Sequence, residues 1–161
     1  MNEEIIEVMD NASLANVKEQ REAILALEAA LMDMPDQIQD EIPVKHCLHG
    51  GCYIRSVTVP AGVMLTGEIY KYDHTEIMAH GRIIVTTDEG KSRELEGFHV
   101  MPAKSGKKRA AYTLEETTWI TVHTVTNIKS DNPEVVHSQL TVDSFEEFEA
   151  LENKEVLPCQ Q

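Results

Sequence analysis

The sequence predicts a mainly β domain of the sandwich or barrel kind, with a helix on each flank. Three observations predict it. Short runs at period two, dense in β-branched residues, fill residues 43–129. Turn residues separate those runs at short intervals, and both flanks change to helical spacing. At 161 residues the chain is long enough for one domain with a real core, and too short for two ordinary ones.

Residues 1–42 read as an acidic helical extension. Leu14, Val17, Ile24, Leu25, Leu31 and Met32 fall on roughly one stripe, which predicts a helix over 14–32. Asn11 and Ser13 are N-cap candidates, and Pro35 closes the run because proline cannot continue a helix. A short turn is expected from Glu3 to Met9. Arg21 stands inside the stripe, so this face is expected to pack on the domain or on a second copy of the chain.

From Pro43 onward the period is two. Tyr53, Arg55, Val57 and Val59 alternate with Ile54, Ser56 and Thr58. Met64–Tyr72, Arg82–Thr87, Gly97–Met101, Arg109–Leu114 and Thr117–Val125 read the same way. Pro60-Ala61-Gly62, His80-Gly81, Asp88-Glu89-Gly90 and Lys104-Ser105-Gly106 supply the turns. Six or seven short strands at this spacing argue for a sandwich or barrel over 43–129 and against a βαβ sheet. Residues 130–161 form an acidic C-terminal segment. There Phe145, Phe148 and Leu151 predict a short amphipathic helix over Asp143–Glu152.

The net charge of −14 is unevenly spread. The first 42 residues carry −9, residues 43–129 carry +2, and the last 32 carry −7. That balance disfavours nucleic acid and anionic membranes as partners. No apolar run approaches the roughly 20 residues of a membrane span. The acidic start lacks the positive region of a secretory signal, and three cysteines are an odd count for a disulfide scaffold. A soluble, cytoplasmic protein is the expectation, with Cys159 an exposed free thiol.

No nucleophile elbow, P-loop or dinucleotide fingerprint is present. His46, Cys47, His49 and Cys52 are zinc-type ligands, but the paired Cys-x-x-Cys spacing is missing and Gly50-Gly51 reads as a turn. The two cysteines there read instead as small buried apolar residues.

Residues 60–123 resemble the cupin family of small jelly-roll barrels. Gly62, then Glu68 and Tyr70, then His74 and Gly81 keep the spacing of the first cupin motif. Glu68 and Tyr70 stand where that motif has two histidines, and His74 stands where it has glutamate. Gly97, Pro102, Gly106 and Arg109 resemble the second motif, with Arg109 at a common histidine position and a longer loop. A narrower resemblance, over residues 44–125, is to phage- and prophage-encoded cupin-like proteins of unassigned role. It is carried by Pro60-Ala61-Gly62, Lys71 with His74, Lys108-Arg109, and the run from Tyr112 to Trp119 that ends at His123. Tyr70 replaces the histidine usual before that lysine. The resemblance implies a jelly-roll fold and a phage context, in the host cytoplasm or the virion.

Under this alignment Tyr70, His74, Arg109 and His123 converge on the barrel mouth. Glu68, His74 and His123 then form a candidate site for a divalent metal such as Zn²⁺, Fe²⁺ or Mn²⁺, with Tyr70 as general acid or base. Without a metal, Lys71, Lys108 and Arg109 make a pocket for a carboxylate or phosphate. Three functions follow. One is a binding or assembly module with a degenerate cupin site, an accessory or structural component of a phage particle. It would dimerise through the N-terminal helix or a sheet edge, or dock on other phage proteins. The alternatives are a metal-dependent enzyme acting on a small anionic metabolite, and a protein that sequesters a small anionic ligand.

Overall fold

The computed structural model describes residues 17–38, 41–87, 91–125 and 128–155. Good helix formers without Gly or Pro give helix α1 (Val17–Met32), with Ile24 as its buried residue. Arg21, the odd residue of its apolar stripe, lies 4.4 Å from the centroid of the Phe145 ring. Its guanidinium also pairs with Glu149 at 2.5 Å. The charge that spoils the stripe therefore ties the two acidic flanks together. The expected caps Asn11 and Ser13, the turn at Glu3–Met9, the helix start at Leu14, and Cys159 lie outside the described residues.

Among the described residues eleven strands follow, and the architecture is the mainly β jelly roll the sequence predicts. They are β1 (Val44–His49), β2 (Cys52–Val59), β3 (Met64–Thr66), β4 (Ile69–Tyr70), β5 (His74–His80) and β6 (Arg82–Thr86). After them come β7 (Ser92–Glu96), β8 (His99–Ala103), β9 (Ala110–Thr113), β10 (Thr117–Thr124) and, after helix α2 (Pro133–Leu140), β11 (Thr141–Val142). Helix α3 (Phe145–Glu155) ends the described chain. One antiparallel sheet runs β1-β2-β10-β5-β8 and another runs β3-β9-β6-β7, with a β4-β11 ribbon beside them. Among the described residues the strands form these separate sheets and not one closed barrel.

Met78 from the first sheet packs with Ile83, Val85, Leu95 and Ala111 from the second, so the core lies between the two. The far end is closed by a different cluster, Tyr53 and Tyr70 against Val136 and Leu140 of α2. Phe145 and Phe148 of α3, the residues whose spacing predicts that helix, bury with Ile69 and Val142.

The expected strand over Met64–Tyr72 is two strands, interrupted at Gly67-Glu68. β1, β5, β7 and β11 are additional strands that the reading by period did not name. Helix α2 is another addition. Asn132 caps it, accepting from the backbone N–H of Glu134 at 2.9 Å, and Pro133 opens it. Gly81 makes the β5–β6 turn at φ +108, where a Cβ would strike the Glu116 carbonyl.

Candidate functional site

Strand register aligns three rows across the first sheet. Val57, Trp119 and Met78 face one another in adjacent strands; Arg55, Thr121 and Glu76 form the next row; Tyr53 and His123 form the third. Alternation then turns all three rows toward the second sheet. The rows are apolar, ionic and aromatic in that order, so polarity changes in steps of roughly 7 Å along the strands.

The apolar and ionic rows border a cavity of about 780 Å³ between the sheets. Its walls include Val57, Leu65, Ile83, Val85 and Trp119, and its polar end carries Arg55, Glu68, Tyr70, Glu76, Arg109 and Thr121. α1 and the segment after it, with Met32 and Met34, lie at the rim. Protein interiors ordinarily fill such space with their own side chains. A void of this size, apolar along its length with a few convergent polar groups, has the dimensions and chemistry of a small-molecule site.

The ionic groups are mostly committed. Arg109 Nε donates to Glu76 Oε2 at 2.9 Å, and its Nη1 donates to the Thr86 carbonyl at 2.9 Å. Lys108 pairs with Glu28 of α1 at 2.7 Å, and the Thr66 hydroxyl donates to the same carboxylate at 2.9 Å. Arg55 differs: its guanidinium has no hydrogen bond or ion pair to any described residue. The neighbouring Thr121 is 5% exposed, with its hydroxyl turned to that of Tyr70. An unpaired cation thus stands beside two buried hydroxyls at the polar end.

Behind Tyr70 lies a stack of rings. His74 and His123 stack at 4.4 Å with 22° between planes, and Tyr70 lies 4.6 Å from the first and 4.4 Å from the second. Tyr53 continues the column and makes a 2.7 Å hydrogen bond with His46 Nδ1. Burial pushes Tyr53 up to about 12 and raises Tyr70, so both hydroxyls stay protonated. Burial pushes His123 down to about 3 and lowers His137 as well, so both imidazoles are neutral. His74 Nε2, both ring nitrogens of His123, and His137 Nε2 are buried without hydrogen-bond partners among the described residues. Each orphan costs about 1–3 kcal/mol, whereas an aromatic pair contributes about 0.5–1.5 kcal/mol. The column is costly packing that fixes the Tyr70 ring from behind.

Of the seven residues expected at the site, Tyr70, His74 and His123 do meet. They form the closed end of the sandwich and not an open mouth. Arg109 joins them through Glu76, whose Oε1 lies 3.8 Å from His74 Nε2. Glu68 is exposed at the cavity edge, between β3 and β4. Lys71 turns away and donates to the Gln139 carbonyl at 3.0 Å. Reading by sequence missed Arg55, Glu76 and Thr121. A charge or hydroxyl at an inward position of an alternating strand is the signal that marks all three.

The divalent metal implied by the cupin resemblance does not fit these donors. His74 and His123 lie ring on ring, Glu68 is separate from them, and Glu76 is held by the Arg109 guanidinium. Among the described residues no three His, Cys, Asp or Glu side chains converge as a metal site would need. The His46, Cys47, His49, Cys52 group is likewise split. Alternation in β1 puts His46 and Leu48 on one face and Cys47 and His49 on the other. Cys47 and Cys52 are free thiols.

No family model matches the sequence, and no curated protein matches it. Solved structures that resemble it include KdgF from a Halomonas species, 17% identical at a TM-score of 0.46, covering 56% of this chain and 85% of that one. A cupin superfamily protein from Desulfitobacterium hafniense is 13% identical at 0.45, covering 56% and 83%. The cupin domain of Schizosaccharomyces pombe Cnp3 is 14% identical at 0.45, covering 59% and 66%. Among the described residues no helix is long and apolar enough to cross a membrane.

Proposed function

We propose that this protein is a binding module for a small anionic ligand held in the cavity between its sheets. One observation carries the reading: Arg55, alone among the cations of that cavity, lacks a carboxylate partner among the described residues. A guanidinium presents a fixed fork of donors matched to a carboxylate or phosphate. In this reading Arg55 takes the place of the expected anion pocket of Lys71, Lys108 and Arg109, because the first of those points away and the other two are paired. Calorimetric titration of untagged protein with a panel of small carboxylates and inorganic phosphate tests this. Binding that Arg55→Met abolishes supports the reading. A panel that gives no heat with the wild type refutes it.

Turnover is a second reading, favoured by Tyr70 and Glu76 bordering the same cavity. Tyr70, kept protonated by burial, would serve as general acid, and Glu76, paired with Arg109, as base. Recovery of the bound ligand unchanged after incubation separates sequestration from this chemistry. Val17, Leu25 and Met32 are exposed on α1, which supports a dimer through that helix. A monomer at every concentration in light scattering argues against it. Service as an accessory protein of a phage particle rests on the resemblance over residues 44–125, and the cavity adds nothing to it.

A further inference from the structure

We infer that the ligand is an amphiphilic monocarboxylate, with its carboxylate on Arg55 and its hydrocarbon body along Trp119 toward the methionines of the rim. This rests on the anionic-ligand reading and narrows it.

The charge inventory sets the number of negative charges. Three cations border the cavity, but Arg109 is held by Glu76 and Lys108 by Glu28, which leaves Arg55. A second carboxylate on the ligand would approach Glu76 or Glu68 with no cation to meet it. One negative charge is matched, and two are not.

The walls set the rest of the molecule. Proceeding from Arg55 along β2, the inward residues are Val57 and Val59. Along β10 from Thr121 they are Trp119 and Thr117. Two alternate positions beyond Arg55 is a run of roughly 13 Å. Leu65, Ile83, Val85 and Ala111 face this run from the second sheet. Polar ligand atoms placed here would lose their hydrogen bonds to water without replacement, which penalises sugars and phosphorylated metabolites. The run ends near Leu31, Met32, Met34 and Ile38, whose flexible methionines adapt to differing tail lengths. Thr121 is 5% exposed and its hydroxyl is turned to Tyr70, so the Arg55 guanidinium is the group that meets the carboxylate.

The single tryptophan of the chain is Trp119, so its fluorescence reports on the cavity directly. Titration with decanoate is expected to change that emission saturably. Decanol, which lacks the charge, should bind roughly tenfold to a hundredfold more weakly, as should decanoate to Arg55→Met. Succinate should compete poorly. Circular dichroism of Arg55→Met checks that it folds, and the decanoate–decanol comparison on unaltered protein stands without it. Calorimetry distinguishes the two ways to fail. Succinate or phosphate binding through Arg55 while decanoate does not bind would overturn the amphiphile and keep the anion site. No binding by any of the probes would overturn both.

Discussion

Glu76 of β5 and Arg109 at the start of β9 join the two sheets at the polar end of the cavity. The guanidinium Nε donates to the carboxylate at 2.9 Å, with side chains 18% and 10% exposed for Arg109 and Glu76. A pair this sheltered is poor evidence for stability in itself, because desolvation offsets much of the attraction. Its effect is to take Arg109 out of competition for a ligand and to fix the Glu76 carboxylate beside Tyr70 and His74. Arg55 then becomes the cation left to meet an anion, so specificity at the site is set by which charges are already paired.

Arg109→Met strands the Glu76 carboxylate and is expected to cost about 3–5 kcal/mol in urea unfolding. Adding Glu76→Gln should recover most of that loss, since a neutral amide tolerates burial better than an unpaired charge. A single variant costing less than about 1 kcal/mol would show that water reaches the pair freely.

The His123 ring gives the protein an acid-side limit. Its pKa falls from 6.5 in the unfolded chain to about 3 when buried, chiefly by desolvation. Between those values the unfolded chain binds a proton that the native state refuses. Stability is therefore complete above about pH 6.5 and is lost as pH falls toward 3, by on the order of 5 kcal/mol for this group. His137 shifts the same way, while Tyr53, Tyr70, His74, Arg55 and Glu76 surround the column. His123→Phe removes both orphaned nitrogens and the titration. It should raise the melting temperature at neutral pH and flatten its decline between pH 6 and 4. An unchanged pH profile would place the acid lability elsewhere.

Gly81 has no tolerated substitute. Its φ of +108 is strained for any L side chain, and a Cβ would meet backbone at Glu116 and Thr117, which cannot swing aside. Gly81→Ala is expected to lose about 2–4 kcal/mol by the strained turn and the clash together. Gly97→Ala is the control. It too has positive φ (+76), but nothing lies within 4 Å of a Cβ there, so it should lose less.

Much of this fold was legible because its signals are local. β2, β6, β9 and β10 are dense in β-branched residues, and Pro35, Gly62, Gly81 and Gly106 mark real ends or turns. β1 and β7 were missed because both are edge strands rich in charged or polar residues, which blunt an edge and erase the alternation. β5 was missed because Glu76 faces inward where an apolar residue is expected. The site was half legible for a related reason. Motif spacing pointed to Tyr70, His74 and His123, whose rings are adjacent. What each cation pairs with depends on register between strands far apart in the chain, and Lys71, Lys108 and Arg109 could not be told from Arg55 by residue type.

The Glu28–Lys108 contact gives α1 its attachment at the cavity rim. Lys108 is 9% exposed in its side chain and Glu28 is 36% exposed, so the lysine is the desolvated partner. Glu28→Gln keeps a group that can accept from Thr66 but leaves the ammonium without a counter-charge. Removing a partner of a half-sheltered pair should cost about 1–2 kcal/mol, and the cost should fall on α1 and not on the sheets. Trypsin is therefore expected to cleave after Lys18 and Arg21 several-fold faster, while amide exchange in β2 and β10 stays slow. Lys108→Met together with Glu28→Gln should restore protection, because no buried charge is then left alone. Faster exchange across the strands would show that Glu28 supports the whole core. Unchanged cleavage would show that Arg21, through Phe145 and Glu149, is enough to hold the helix down.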